Sequence, residues 1–258
     1  MIILWILLSI LAGILGVLVL YLVFTCICSL FISKRKEYDK NSKFYRFLLY
    51  SWTWIALRLL RVNVHITGME KLPKDGRFVF VGNHISNYDP IITWYALRKY
   101  DLAFISKESN FNIPIFGRII RKCCFMSIDR TNPKNAVKTI TRASGLIKAD
   151  EVSMAVYPEG TRNKTQDVLL PFHNVVFKIA QKPQVPIVVA STYGTNKIAG
   201  RTPFRRTHVY LDILNVLPAE EVLQSRTAEI GSTVTRIITE NLEKYTIGEK
   251  DEKLLHIV

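Results

Sequence analysis

The chain opens on an uninterrupted apolar run: from Met1 to Ile32 there is no charged side chain. About 20 apolar residues suffice to cross a bilayer, so this run is long enough to span with tilt or with an interfacial extension. No Lys or Arg precedes it, and it is longer than the apolar core of a cleaved leader, so residues 1–32 are expected to be a transmembrane anchor. Residues 44–62 (FYRFLLYSWTWIALRLLRV) mix aromatics and leucines with Arg46, Arg58 and Arg61. That pattern predicts an amphipathic helix. One face suits the membrane interface, where Trp and Tyr concentrate, and another suits packing on the main domain. Residues 33–62 thus form a basic juxtamembrane segment with an interfacial helix.

Beyond Asn63 short β-type runs alternate with helical ones. Strands are expected at Val64–Thr67, Phe78–Val81, Ala103–Ser106, Phe125–Ile128, Ser153–Tyr157, Val185–Ala190 and His208–Leu214. Helices are expected at Pro90–Lys99, Ile115–Arg121, Pro133–Ala149, Val175–Gln181 and Ala219–Tyr245. This alternation predicts an α/β domain over residues 63–258, with a mostly parallel central sheet flanked by helices.

Charge sharpens the membrane reading. Lys34, Arg35 and Lys36 follow the apolar run directly, with Lys40, Lys43 and Arg46 behind them. Cations gather on the cytoplasmic side of a span, which predicts a cell-membrane anchor, single-pass or monotopic, with a cytoplasmic body. The formal net charge of +14 fits a body lying against an anionic membrane surface. The basic residues are spread along the chain without a recognition-helix, zinc-finger or RNA-motif pattern, so no nucleic acid partner is expected. Cys26 and Cys28 lie in the apolar run, Cys123 and Cys124 are adjacent, and there is no CxxC pair. Neither a metal site nor a disulfide framework is indicated.

Three polar clusters follow apolar β-type runs: His84 with Asp89, Asp129-Arg130, and Glu159-Gly160-Thr161-Arg162. Ligands in open α/β sheets bind beyond the carboxyl ends of the strands, so clusters at three such ends converge if those strands are parallel neighbours. A histidine takes up a proton near neutral pH, and an aspartate on its other nitrogen fixes the tautomer and stabilises the imidazolium. With no obvious serine or cysteine nucleophile elbow in the sequence, a hydroxyl on the substrate itself is a candidate nucleophile. The same HxxxxD spacing also suits an ordinary turn with an Asp-Pro helix start. Arg130 and Arg162 carry guanidinium forks suited to phosphate, although paired surface arginines are commoner as salt bridges. In Tyr157-Pro158-Glu159-Gly160-Thr161-Arg162, Pro158 ends the ladder and Gly160 allows close backbone approach.

The blocks NHISNYD, FGRIIRKCCFMSIDR, YPEGTR and VPIVV occur in this order, within residues 64–217. In them the chain resembles the glycerolipid acyltransferases, most nearly the bacterial 1-acyl-glycerol-3-phosphate acyltransferases. The resemblance implies that His84 is the general base acting on the acceptor's glycerol hydroxyl and that Asp89 orients and stabilises it. It implies that Asn83 shapes their turn and that Arg130 binds the acceptor's phosphate. Glu159, Gly160, Thr161 and Arg162 would form the acceptor block, and Pro186 would shape the acyl-donor side. The implied reaction moves an acyl group from acyl-CoA or acyl-carrier protein to lysophosphatidate, with no cofactor and no metal. Related acceptors, another lysophospholipid or glycerol-3-phosphate, would use the same blocks, and a non-catalytic lipid binder is the alternative of another class. Two positions depart from the family pattern: Cys124 and Val175 stand where glycine is usual. His173 reads as a phosphate-side or structural residue.

Overall fold

A computed structural model describes residues 1–128 and 133–255 of the chain. The N-terminal run forms a single helix, α1 (Ile2–Leu30), followed by α2 (Lys43–Leu59). The α/β part then runs β1 (Val62–Thr67), β2 (Val79–Val81), α3 (Tyr88–Ala96), β3 (Ala103–Ser106), α4 (Phe116–Lys122), β4 (Met126–Ser127), α5 (Pro133–Lys148) and β5 (Met154–Val156). It closes with α6 (Lys178–Gln181), β6 (Ile187–Tyr193), α7 (Ile198–Arg201), β7 (Thr207–Leu217), α8 (Ala219–Gln224) and α9 (Thr227–Leu255).

The seven strands form one sheet in the order β1-β7-β6-β2-β5-β3-β4. From β6 to β4 every neighbouring pair is parallel, as expected. The β6–β7 pair is antiparallel, and β1 pairs parallel with β7, so these two strands run against the rest. Between β6 and β7 stand only a 3-10 turn (Thr195–Lys197) and the four-residue α7, and the chain returns directly alongside β6. Val79–Val81 and Ile187–Ala190 are buried on both faces, which is why they read as continuous apolar runs rather than alternating ones.

Several boundaries differ from expectation for local reasons. The expected C-terminal helix breaks into α8 and α9 because Ser225 is extended (ψ 147°). Glu229 then caps the restart by accepting the Arg226 N–H at 2.8 Å. The expected strand Phe125–Ile128 shortens to two residues, and the stretch before α6 is a 3-10 turn, Asn174–Phe177. α3 starts at Tyr88, two residues before Pro90. Pro90 therefore stands in the first turn, where its missing N–H costs nothing.

α1 has 29 residues, about 43 Å at 1.5 Å per residue. It is long and apolar enough to cross a membrane. Only Thr25 and Ser29 are buried in it, both near its C-terminal end. That end packs antiparallel on α2: Tyr21 stacks on Trp52 (5.2 Å), the Trp52 indole donates to Thr25 (3.0 Å) and the Tyr45 hydroxyl donates to the Cys28 carbonyl (3.0 Å). α2 packs one face on the domain and leaves apolar side chains exposed on the other. Leu48, Leu49 and Leu57 are buried on the domain, whereas Phe44, Phe47, Trp54 and Leu59 remain exposed.

Arg46 fastens α2 to the sheet. Its guanidinium is fully buried and donates to the carbonyls of Leu102 (2.8 Å), Asp101 (2.8 Å) and Cys123 (3.0 Å), to the Tyr50 hydroxyl (3.1 Å) and to Asn41. Asp101 balances the charge at 3.5 Å. A buried cation with its donors satisfied in this way is stable in place, whereas its removal strands several carbonyls.

Candidate active site

β2 ends at Val81, and the chain turns through Gly82-Asn83-His84 into α3. Asn83 is fully buried and spans the turn to β6, donating to the Thr192 carbonyl (3.0 Å) and accepting its N–H (2.7 Å). Two reciprocal bonds to a central strand fix the direction in which the next residue projects.

The His84 Nδ1 lies 2.8 Å from the Asp89 Oδ2. Asp89 occupies the first turn of α3, where free N–H groups and the helix dipole favour a carboxylate. Its Oδ2 also accepts the N–H groups of Ile85 and Ser86, both at 2.7 Å, and its Oδ1 accepts the Thr195 hydroxyl in a short bond. Asp89 is completely buried. A carboxylate fed by four donors is an acceptor only, so it holds the proton of His84 on Nδ1 and leaves the Nε2 lone pair available. No described residue bonds Nε2, and the imidazole retains 18% exposure. Such an arrangement is able to serve as a general base with its orienting acid.

Tyr157, at the end of the neighbouring strand β5, stacks on the imidazole with centroids 4.5 Å apart and planes at 13°. Burial, then the nearby Asp89 charge, pushes the Tyr157 phenol well above its ordinary value, so it stays a neutral platform. Glu159 is buried and bridges two backbone segments: Oε1 accepts the His84 N–H (2.6 Å) and Oε2 accepts the Leu170 N–H (3.0 Å). Burial raises its carboxyl above the usual range, against the lowering effect of those two bonds. The Asn163 N–H closes the junction on the His84 carbonyl at 2.6 Å.

The other expected site residues fall in different places. Gly160 adopts φ +68°, and a Cβ there would lie 2.8 Å from the His173 ring, so glycine is needed for both conformation and space. His173 thus packs over the turn, and among the described residues no hydrogen bond or ring contact joins it to His84 or Asp89. Thr161 is exposed and Arg162 half-buried, and neither side chain bonds another described residue. Arg162 stands next to Asn163 and hence beside the His84 backbone. Arg130 and Asp129 lie outside the described residues. β4, which precedes them, is two strands from β5, so the three clusters do not sit on three adjacent strands. Pro186 is not brought to the dyad. It precedes β6 at the sheet's amino edge, with its carbonyl accepting the Val79 N–H (3.0 Å), whereas His84 lies beyond the carboxyl edge.

Both glycine departures have local explanations. Cys124 adopts φ +62°, the left-handed conformation for which glycine is usual, and its thiol is buried. Val175 sits in the 3-10 turn without a positive φ and needs no glycine. Burial pushes the Cys123 thiol up to about 12 and that of Cys124 up to about 11, so neither supplies a thiolate near neutral pH. Thr195 and Tyr157 were not singled out in the sequence as site residues. Only the three-dimensional approach of the β6–α7 link and the β5 end brings them to Asp89 and His84.

A sequence profile of the acyltransferase family matches residues 63–192, half of the chain, and includes the dyad and the Glu159 turn. The chain belongs to the acyltransferase family. It is 35% identical over 157 residues to a chloroplastic 1-acyl-sn-glycerol-3-phosphate acyltransferase of Brassica napus, covering 60% of this chain and 44% of that protein. It is 32% identical over 150 residues to the 1-acyl-sn-glycerol-3-phosphate acyltransferase of Escherichia coli, covering 58% of this chain and 59% of that protein. The aligned region thus spans about half the length of these curated relatives. The crystal structure of the 1-acyl-sn-glycerophosphate acyltransferase of Thermotoga maritima superposes with a TM-score of 0.67 at 25% identity, covering 88% of this chain and 89% of that one. The likeness to that acyltransferase therefore extends beyond the profile match.

Proposed function

We propose that the protein transfers a fatty acyl group from an acyl thioester to the sn-2 hydroxyl of lysophosphatidate, forming phosphatidate at the cytoplasmic face of the cell membrane. The 2.8 Å contact between His84 Nδ1 and Asp89, with Nε2 left open, carries this reading. Nε2 accepts the proton of the acceptor hydroxyl as its oxygen attacks the thioester carbonyl. The imidazolium that forms faces the Asp89 carboxylate. Collapse of the tetrahedral adduct breaks the C–S bond, and the proton on Nε2 passes to the departing thiolate. Arg162, unengaged beside His84, and Arg130 are suited to the acceptor's phosphate. The acceptor follows the relatives' names. The basic residues after α1 support the cytoplasmic orientation. Acyl-CoA and acyl-carrier protein both fit as donors.

The test is an assay of the purified protein in detergent with lysophosphatidate and each donor, following thiol release and phosphatidate formed. Wild type should make phosphatidate, and folded His84→Ala almost none. Full activity of His84→Ala would refute the mechanism. An inactive wild type with both donors, but active on another lysophospholipid or on glycerol-3-phosphate, would replace the acceptor.

A further inference from the structure

Beyond the N-terminal apolar run, the most exposed large apolar side chain among the described residues is Phe204, 84% exposed at the tip of the turn between α7 and β7. Arg201, Arg205 and Arg206 flank it, and all three are exposed. The turn abuts the end of α2: the Arg61 guanidinium donates to the Phe204 carbonyl (3.0 Å), and the Thr207 N–H donates to the Arg61 carbonyl (3.1 Å). Arg58 lies one turn earlier, over Trp54. Residues 52–66 and 196–211 contain no Asp or Glu. None of these five arginines makes an ion pair among the described residues.

The position of this patch matters as much as its charge. Because α1 and α2 pack antiparallel, the C-terminal end of α2 points the same way as the free N-terminal half of α1. The Phe204 turn, held to Arg61 just past α2, therefore lies toward the same end as that half of α1, near the exposed Leu59. An aromatic tip ringed by unpaired guanidinium groups matches the interface of an anionic bilayer, where the ring enters the acyl boundary and the arginines meet phosphates.

We infer that the Phe204 turn is a second membrane contact, which presses on anionic headgroups and sets the domain's tilt against the bilayer. It rests on α1 being the anchor and on no catalytic step. The segment has a direct link to the site, since Thr195, nine residues before Phe204, holds Asp89. The turn thus brings the dyad's side of the domain toward lipid.

The experiment places the photo-crosslinker p-benzoylphenylalanine at position 204 of the full chain in nanodiscs with and without about one-third phosphatidylglycerol. Parallel samples carry it at Val17 on α1 and at Leu223, which follows β7 and lies roughly 33 Å along that strand from the turn. The probe at 204 should capture phospholipid in anionic discs, the probe at 17 in both, and the probe at 223 in neither. Arg205→Glu with Arg206→Glu should lower capture at 204 by tenfold or more, since each arginine near such a surface is worth about fivefold. Capture at 17 without capture at 204 would overturn the inference and leave the anchor standing. Capture at neither would overturn both, and equal capture at 204 in neutral and anionic discs would remove the role given to the arginines.

Discussion

Asp89→Asn separates the charge of the acid from its place in the structure. The carbonyl oxygen of Asn can take the position of Oδ2 and keep the bonds from Ile85, Ser86 and His84 Nδ1. The amide nitrogen then faces Thr195, whose hydroxyl can turn to accept. The fold should lose only the difference between charge-assisted and neutral bonds, about 1–2 kcal/mol. The transition state loses more, because an imidazolium forms beside a group that is no longer an anion. Unit charges about 4 Å apart interact by about 4 kcal/mol at an effective dielectric of 20. At 1.36 kcal/mol per tenfold, kcat should fall by about a thousandfold. The assay is thiol release at saturating lysophosphatidate, with KM measured separately and melting followed by circular dichroism. The expected result is that thousandfold loss in kcat, KM within a few-fold and melting within several degrees. A folded variant with kcat within tenfold of wild type would show that Asp89 positions His84 without stabilising its charge.

Arg46→Met should destabilise the fold by about 3–5 kcal/mol, because three carbonyls and Asp101 lose a buried cation, and denaturant unfolding measures it. Gly160→Ala should cost about 1–3 kcal/mol from the φ of +68° and the contact with His173, read as a lower melting temperature together with reduced kcat. Glu159 gives a pH signature. Its folded carboxyl is raised, so the stability it contributes is complete below the unfolded value and is lost as pH rises through the folded one. Glu159→Gln lacks this dependence, so the variant's melting temperature relative to wild type should rise with pH across the upper carboxylate range. A flat difference between pH 4 and 7 would show that the Glu159 carboxyl titrates alike in the folded and unfolded chains.

Sequence patterns made some parts of this structure legible and hid others for physical reasons. The apolar run of α1, the aromatic face of α2 and the buried β2 and β6 runs each show in one dimension, since burial follows local periodicity. The pairing of His84 with Asp89 is also local, spanning one turn and the start of one helix. Arg46 was not legible as a buried clamp: its partners are backbone carbonyls of Asp101, Leu102 and Cys123, which carry no side-chain signature. Thr195 was hidden for the same kind of reason, lying 106 positions from Asp89 in the chain. The reversal of β7 against β6 was not legible, because strand alternation alone suggests another parallel crossover. Pro186 directly precedes β6, at the edge opposite His84, and chain order does not say which end of a strand a ligand meets.

The way α1 ends on α2, with α2 fastened by Arg46, means that anchor and sheet move as one body. With α1 as the anchor and the lipid acceptor proposed above, such a body meets its acceptor by diffusion in a plane. Its rate is then governed by the mole fraction of acceptor in the surface, not by millimoles per litre of suspension. Adding inert detergent at constant acceptor and enzyme should slow turnover in proportion to the dilution of that surface.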